Sequence, residues 1–549
     1  MTKKLLVKDK FNEKSLTIAR NLAHKSSWEQ ALPIYENLLK KTPEDFQILY
    51  ELSFVYMQLS YFQEAYICME KILQEKSNDP DFLANFGVVC TKLNLLDKGE
   101  YLLKFAIQLN PHNIDYLINL SSIYNSQEKY IDALFNIRLA LQLNPLHVTS
   151  YLALGVSLLK CGEIESAKNT FNIALAIDPE CSEAKFNLAT IQFRLGNELN
   201  ALKIYEDLLH QSIIKRNNLK VQPIKFSLSV IYLSLGKLNK GWEYYEDGFD
   251  PSISPETRRN PTRYFLKPKW DGKVDFSKTI LVWREQGVGD EILFMSCLPD
   301  LLRSGLKIIL ECEKRLVTIV SRSFPNCLVR DESIDRNSSV NESLYDDYDF
   351  HLPLGSLMRL YRSDLSLFKN TPPYIKINNE LAVKMKNNLL VAGSNKKRIG
   401  ICWRSGYINQ ERVTEYTDLI NWKPIFSIED FDFINLQYGE CEEEIIKVES
   451  LFGMKIIRWP ELDLKNDFES TMALMSTLDV VITVGTAVNS MAASIGVPVY
   501  LMSGKGWPNL GTDYYPWFKN VTCFFPKFKG DINSCIPEVA QALEQLRRA

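Results

Sequence analysis

Two short stretches of this 549-residue chain combine residue types that can hold an anion at the start of a helix. In the first, Gly287-Val288-Gly289-Asp290 follows the apolar run TILVW (279–283) and opens a helical pattern. Glycines there permit a tight turn and let a ligand approach the backbone closely. A helix start also presents N–H groups without intrahelical partners, which attract negative charge. The same spacing fits an ordinary strand-to-helix turn in which Asp290 is favoured by the helix dipole. Glu285 and Glu291 flank it as further carboxylates. In the second stretch, Thr486-Ala487-Val488 follows VVITVG and begins another helix, so its backbone N–H groups can take phosphate. Arg404, after the run IGICW and before Ser405, can make charge-assisted bidentate bonds worth about 1.5–3 kcal/mol, or stand solvated at a strand end. Arg412 is a second cation of this kind. Gln437 and Tyr438 end the run FINLQYG, either to hold a base or ribose or simply to finish a strand.

Metal chemistry is not expected. Of five histidines (His24, His112, His147, His210 and His351), only His351 lies beyond residue 210, and it reads as structural. Asp347-Tyr348-Asp349 and Asp430-Phe431-Asp432 match a D-x-D pattern, but both read as turn residues preceding strands. Lys+Arg total 64 against Asp+Glu 67, a net charge of −3, which gives no reason to expect a nucleic-acid partner. Eleven cysteines, an odd number without a C-x-x-C pair, fit free thiols in a reducing compartment. The start MTKKLLVKDKFNEK has no apolar stretch after its basic residues, and no run approaches 18 apolar residues. A cytoplasmic protein without a membrane span is expected.

The elements that must position these residues begin with a repeat array. Pro43, Pro111, Pro145 and Pro179 fall at multiples of 34, with Ser77 in the empty slot. Twelve residues before each slot stands a small residue: Ala31, Ala65, Gly99, Ala133, Ala167 and Ala201. Twenty-four before stand Ala19, Ser53, Gly87, Ser121, Gly155 and Ala189. Small residues at two fixed points let two helices cross closely, and proline stops the second helix. This pattern resembles the tetratricopeptide repeat over residues 12–250, about seven units. The sixth unit carries a six-residue insertion near SIIKRNNLKVQP, after which Ser229 and Gly241 resume the pattern. The resemblance implies an α-solenoid with a concave face. Asn85, Asn119 and Asn187 occupy equivalent places in their units, with Ala153 interrupting the column. Amides on the concave face would grip an extended acceptor peptide, since each donates and accepts. The alternative is surface asparagines without a partner.

Residues 251–278 read as a connector rich in proline and polar residues. From Thr279 onward, short β-branched runs alternate with helical stretches. This predicts two doubly wound α/β domains, 279–395 and 396–549, the second ending in a C-terminal helix. Their shared cleft is the natural ligand site.

REQGVGDEILF (284–294) and LDVVITVGTAVNSMAASIGVPVYLM (478–502) resemble the corresponding segments of heptosyltransferase-like glycosyltransferases of the GT-B fold. WRSG, INLQYG and GTDYYPWF resemble a subgroup with tetratricopeptide repeats fused in front, some of whose members glycosylate flagellin or other proteins. The resemblance implies two Rossmann-like domains, an acceptor side and a sugar-nucleotide donor side. It implies Asp290 as catalytic base. It implies donor contacts from Gly287, Gly289, Arg404, Ser405, Gln437, Tyr438, Thr486 and Ala487. A nucleotide sugar would be the co-substrate, with no cofactor or metal. The family often has Asp before the threonine and His four residues after it, where this chain has Gly485 and Ser490. The expected activity is protein O-glycosylation. A catalytically degenerate scaffold or sugar-nucleotide sensor, and a transferase acting on a surface glycan, are the alternatives.

Overall fold

The computed structural model describes residues 2–548 apart from 215–220, 254–256, 333, 335–342, 369–371, 393–395 and 407–412. The chain forms two compact units, Met1–Leu188 and Ala189–Ala549.

The first unit is built of helix pairs. They are Thr2–His24 with Trp28–Lys41, Phe46–Gln58 with Phe62–Ile72, Pro80–Lys92 with Leu96–Leu109, Ile114–Ser126 with Tyr130–Leu143, and Val148–Lys160 with Ile164–Ile177. The first helix starts at Thr2, ahead of the repeat pattern that begins near residue 12. The recurring small residues sit where they are needed. A Cβ on Gly87 would lie 2.8 Å from Leu103 Cγ and 3.2 Å from the Gly99 carbonyl, and one on Gly155 would lie 2.5 Å from the Phe171 ring. Asp45, Asp79 and Asn113, also 34 apart, cap their helices through side-chain bonds to backbone N–H groups. A further period is carried by backbone shape. Ser26, Ser60, Asn94, Glu128, Gly162 and Gly196 all have positive φ at the turn between the two helices of a pair. The composition hides this position, because only two of the six are glycine.

The second unit holds the last helices and both sheets. Ser182–Arg194, which starts before this unit, pairs with Glu198–Ile214, and Val221–Ser234 with Leu238–Tyr245, completing seven pairs. The first sheet has parallel order β3-β2-β1-β4, with β1 Thr279–Trp283, β2 Lys307–Cys312, β3 Leu328–Asp331 and β4 Phe350–Pro353. In the second, β5 is Lys397–Cys402, β6 Phe431–Asn435, β7 Ile456–Ile457, β8 Val480–Val484, β9 Val499–Met502 and β10 Val521–Phe524, in parallel order β10-β9-β8-β5-β6-β7. Near-continuous burial along β1 and β8 fits strands covered on both faces.

Two helices follow β1, Val288–Met295 and Leu298–Arg303, the second with Pro299 in its first turn. Asp432 lies inside β6 rather than before it, because the strand begins at Phe431. The connector pairs Lys269 with His351 in an isolated bridge and is pinned by buried side chains. Its Arg259 and Arg263 are buried, paired with the buried Glu285 and Glu311. One continuous core joins Trp242 and Tyr245 of the last helix pair to both sheets through Phe294, Trp517 and Leu352. The C-terminal helix Ile536–Arg548 covers the other face of the second sheet, with Trp403 and Trp422 in that core.

Candidate functional site

The chain leaving β1 turns through Gln286, at positive φ, and enters helix Val288–Met295 with Gly287 as its cap residue. Asp290 and Glu291 fall in the first turn of that helix. The chain leaving β8 enters helix Ala487–Ser494 with Thr486 as cap residue. These two helix starts meet. A Cβ on Gly289 would lie 3.5 Å from Ala487 Cα and 3.7 Å from Ser490 Oγ. These distances are ordinary van der Waals contact, so the two helix starts pack directly on one another at Gly289.

The three carboxylates of the first loop divide by environment. Glu285 is fully buried: it accepts from Arg259 Nε at 2.6 Å, from Arg259 Nη2, and from the Gly355 N–H at 2.6 Å. Arg259 lies 4.2 Å over both the Tyr245 and Phe249 rings. Glu291 is also buried, accepting from the Glu313 N–H at 2.9 Å and Arg284 Nε at 3.2 Å. Burial pushes its carboxyl up to about 7, against the opposing pull of Arg284. Asp290 is half-buried. It lies near Tyr245 and Tyr515, whose phenols are raised above the usual range by burial first, the Asp290 charge adding to it. Of the three, Glu285 and Glu291 hold the loop in place, and Asp290 is the one partly open to solvent.

The donor-side residues also divide. Arg404 donates to Glu444 Oε1 at 3.0 Å and to the Glu440 carbonyl at 2.5 Å, so it ties β5 to helix Glu442–Phe452. Gln437 is buried; its Oε1 accepts from the Trp403 and Arg404 N–H groups at 3.1 and 3.0 Å, and its Nε2 donates to the Tyr438 carbonyl at 3.0 Å. Both side chains thus make contacts at strand ends within the protein, the Arg404 guanidinium to a carboxylate and the Gln437 amide to backbone groups. Tyr438 and Ser405 face one another, hydroxyl to hydroxyl at 3.3 Å. Thr486 Oγ1 lies 3.3 Å from Thr483 Oγ1 and does not cap its helix. A Cβ on Gly485 would meet nothing within 4 Å, so the position where similar chains carry Asp is open space. Arg412 lies outside the described residues.

His351 stacks on Phe265 at 3.9 Å and accepts from Trp283 Nε1 at 3.2 Å. Burial lowers its imidazole to about 4, with Lys269 and Arg263 contributing. Asp349 accepts from the Thr279 N–H at 2.9 Å, and Asp347 pairs with Arg330 at 2.7 Å. In the array, Asn85 and Asn119 are half-buried and have no side-chain hydrogen bond among the described residues. The Asn187 amide donates to Glu183 of its own helix at 2.9 Å.

Two residues of the site escaped the sequence reading. Asn489, in the first turn after Thr486, donates to the Tyr515 hydroxyl at 3.2 Å, and both are buried. Tyr515 belongs to GTDYYPWF, whose density of aromatics was the available signal. Trp517 and Phe518 of that segment are buried with it.

Comparison with known proteins supports the helical half by name. Residues 139–213 match the tetratricopeptide repeat family, and residues 20–128 match the coatomer epsilon subunit family. Over 404 residues the chain is 29% identical to protein FlbA of Caulobacter vibrioides, covering 71% of this chain and 66% of FlbA, just under two thirds of its length. Among solved structures it is similar to a tetratricopeptide repeat protein from Parabacteroides merdae (16% identity, 43% of this chain and 91% of the other, TM-score 0.36). It is also similar to a thermophilic TPR protein of Thermus thermophilus (18% identity, 33% and 99% covered, TM-score 0.29). The chain thus carries tetratricopeptide repeats in its helical part, matched over residues 139–213, and two parallel sheets in its C-terminal region.

Proposed function

We propose that the protein is a glycosyltransferase of the GT-B type that moves a sugar from a nucleotide sugar to a Ser or Thr hydroxyl of a polypeptide held by the repeats, possible acceptors including flagellin or another surface protein. The observation that carries this reading is the meeting of two helix starts at Gly289, with Asp290 in the first turn of one and Thr486-Ala487 leading the other. Backbone N–H groups at the second helix start bind the donor's phosphates. Asp290 takes the proton of the acceptor hydroxyl, which is a poor nucleophile without such a base. The hydroxyl oxygen forms a bond to the anomeric carbon from the face opposite the leaving group. The carbon–phosphate-oxygen bond breaks, and the nucleotide departs with the bonding electrons. The configuration inverts. Asn85, Asn119 and Asn187 hold the acceptor backbone in the array, and the reaction takes place in the cytoplasm.

A second reading is favoured by specific residues. Arg404 and Gln437 are engaged within the protein, and Gly485 and Ser490 depart from the family pattern. On that reading the α/β half binds a nucleotide sugar without turnover. One experiment separates the two. Intact-mass analysis of candidate surface proteins coexpressed with the wild type should show a sugar adduct. Asp290→Asn should reduce the rate of its formation about 10²–10⁴-fold, with the thermal midpoint unchanged. Undiminished transfer by Asp290→Asn removes the base assignment, and binding of donor without transfer by the wild type supports the second reading.

A further inference from the structure

The second unit contains a cavity of about 330 Å³, lined in part by Gly485 and Asn489 at the second helix start and by Tyr515. That volume is at the low end for small-molecule sites and suits one ring rather than a polymer. Its lining mixes donors, acceptors and an aromatic face. Asn489 is 4% exposed and donates an amide N–H to Tyr515, while its Oδ1 has no hydrogen-bond partner among the described residues. A buried carbonyl oxygen left unmet calls for a donor from a ligand or water. Lys529 donates to the Phe193 carbonyl at 2.9 Å and lies 5.4 Å over the Phe193 ring. An ammonium has three donors, so this bond does not exhaust it. Glu198 and Glu415 supply carboxylate acceptors to the same cavity. Burial raises the Glu198 carboxyl and lowers the Lys529 ammonium, as expected for groups drawn out of bulk water. A lining that joins aromatic side chains to ammonium, carboxylate and amide groups matches a polyhydroxylated ring, which has an apolar C–H face and a polar edge.

We propose that this cavity receives the sugar ring of the donor, and that the sixth helix pair, through Phe193 and Glu198, forms one of its walls. The inference rests on the glycosyl-transfer reading for the identity of its ligand as a donor sugar. Position supports it: Asn489 belongs to the helix whose start would hold the phosphates, and Tyr515 connects it to the neighbourhood of Asp290. The repeats then do two things. They recruit the acceptor, and they take part in choosing the sugar.

The test is titration calorimetry of the full chain with UDP, GDP, ADP and CMP, and with UDP-N-acetylglucosamine, UDP-glucuronic acid, GDP-mannose, ADP-heptose and CMP-N-acetylneuraminic acid. The wild type should bind at least one nucleotide sugar more tightly than its bare nucleotide. Lys529→Met, Glu198→Gln and Asn489→Ala should each weaken that nucleotide sugar about tenfold or more and leave the bare nucleotide within about twofold. Lys529→Met and Glu198→Gln change partly exposed groups, so they keep the test valid if Asn489→Ala fails to fold. Equal weakening of nucleotide and nucleotide sugar, or no weakening of either, overturns the pocket and leaves the glycosyl-transfer reading standing. Loss of binding to a Ser/Thr-containing acceptor peptide alone assigns the cavity to the acceptor instead. Failure of the wild type to bind any of the nucleotides or nucleotide sugars overturns both.

Discussion

The third and seventh helix pairs follow the same local rules and meet different surroundings. In the third, Gly87 and Gly99 let the helices touch, Asn94 makes the turn at positive φ, and the core around them is Phe82, Phe86, Leu103 and Ile123, all from nearby repeats. In the seventh, Gly241 stands against Leu233 and Gly236 makes the turn in the same way. Yet Trp242 packs edge-on to Trp507 and Trp517, with ring centroids 6.3 and 6.4 Å apart, and donates to the Arg362 carbonyl at 3.0 Å. The turn itself is so close to the 510–511 backbone that a Cβ on Gly511 would lie 2.5 Å from Gly236 N. The lesson is that the 34-residue rules specify how two helices pair, and leave open what the last pair covers. Here it covers a sheet core, and so becomes part of the unit that carries the candidate site.

The largest effects should follow from breaking that fusion. Trp242→Ala removes a fully buried ring from the shared core and should cost the second unit about 3–5 kcal/mol. Arg259→Ala leaves Glu285 buried without its partner and should cost a similar 3–5 kcal/mol. Hydrogen exchange read by mass spectrometry should show both substitutions loosening peptides from about residue 225 to 520, with helices Pro80–Lys92 and Leu96–Leu109 unchanged. Equal loosening of those early helices would mean that the repeats and the α/β core unfold as one body, and the contrast between the two pairs would lose its meaning.

The sequence showed the array clearly because its physics is local: small residues and a stop recur at one period, and each is satisfied within about 34 residues. The two parallel sheets were equally legible from the alternation of β-branched runs with helices. What stayed hidden depends on distant partners. Arg259 sat in a stretch that read as a connector, and nothing near it announces Glu285 or the Tyr245 and Phe249 rings. Arg404 and Gln437 had the right types for ligand contacts, but Glu444 and the Trp403 backbone compete for them in space. The meeting of Gly289 with Ala487 joins segments almost 200 residues apart, and nothing local to either segment names the other.

A smaller effect, confined to the second unit, comes from Glu291. Its folded carboxyl sits at about 7 against an ordinary value of 4.5, because burial favours the protonated form. The folded state therefore holds this proton more tightly than the unfolded chain. The stability it contributes is complete below about pH 4.5 and is lost as pH rises through about 7. Glu291→Gln keeps an acceptor for the Glu313 N–H and removes the titration. Thermal melts at pH 5 and 7.5 should show the wild-type unit losing more stability over that interval than the variant, on the order of 1–3 kcal/mol. Parallel melts of the two proteins would place the Glu291 proton elsewhere.

The smallest effect belongs to the array and tests its hidden period. Glu128 is exposed and holds φ at +61°, at the turn that Gly162, Gly196 and Gly236 occupy in later pairs. A side chain at such a φ costs roughly 1–2 kcal/mol, and glycine returns about 0.5–1 of it in unfolded-chain entropy. Glu128→Gly should therefore stabilise the array by about 0.5 kcal/mol, a rise of roughly 1–2 °C in its melting midpoint. Glu128→Ala keeps the Cβ and should give no gain, so it separates backbone relief from loss of the acidic side chain. Equal midpoints for the glycine and alanine variants would show that the turn relaxes around any residue, and that positive φ is a consequence of the helix pairing rather than a demand the sequence must meet.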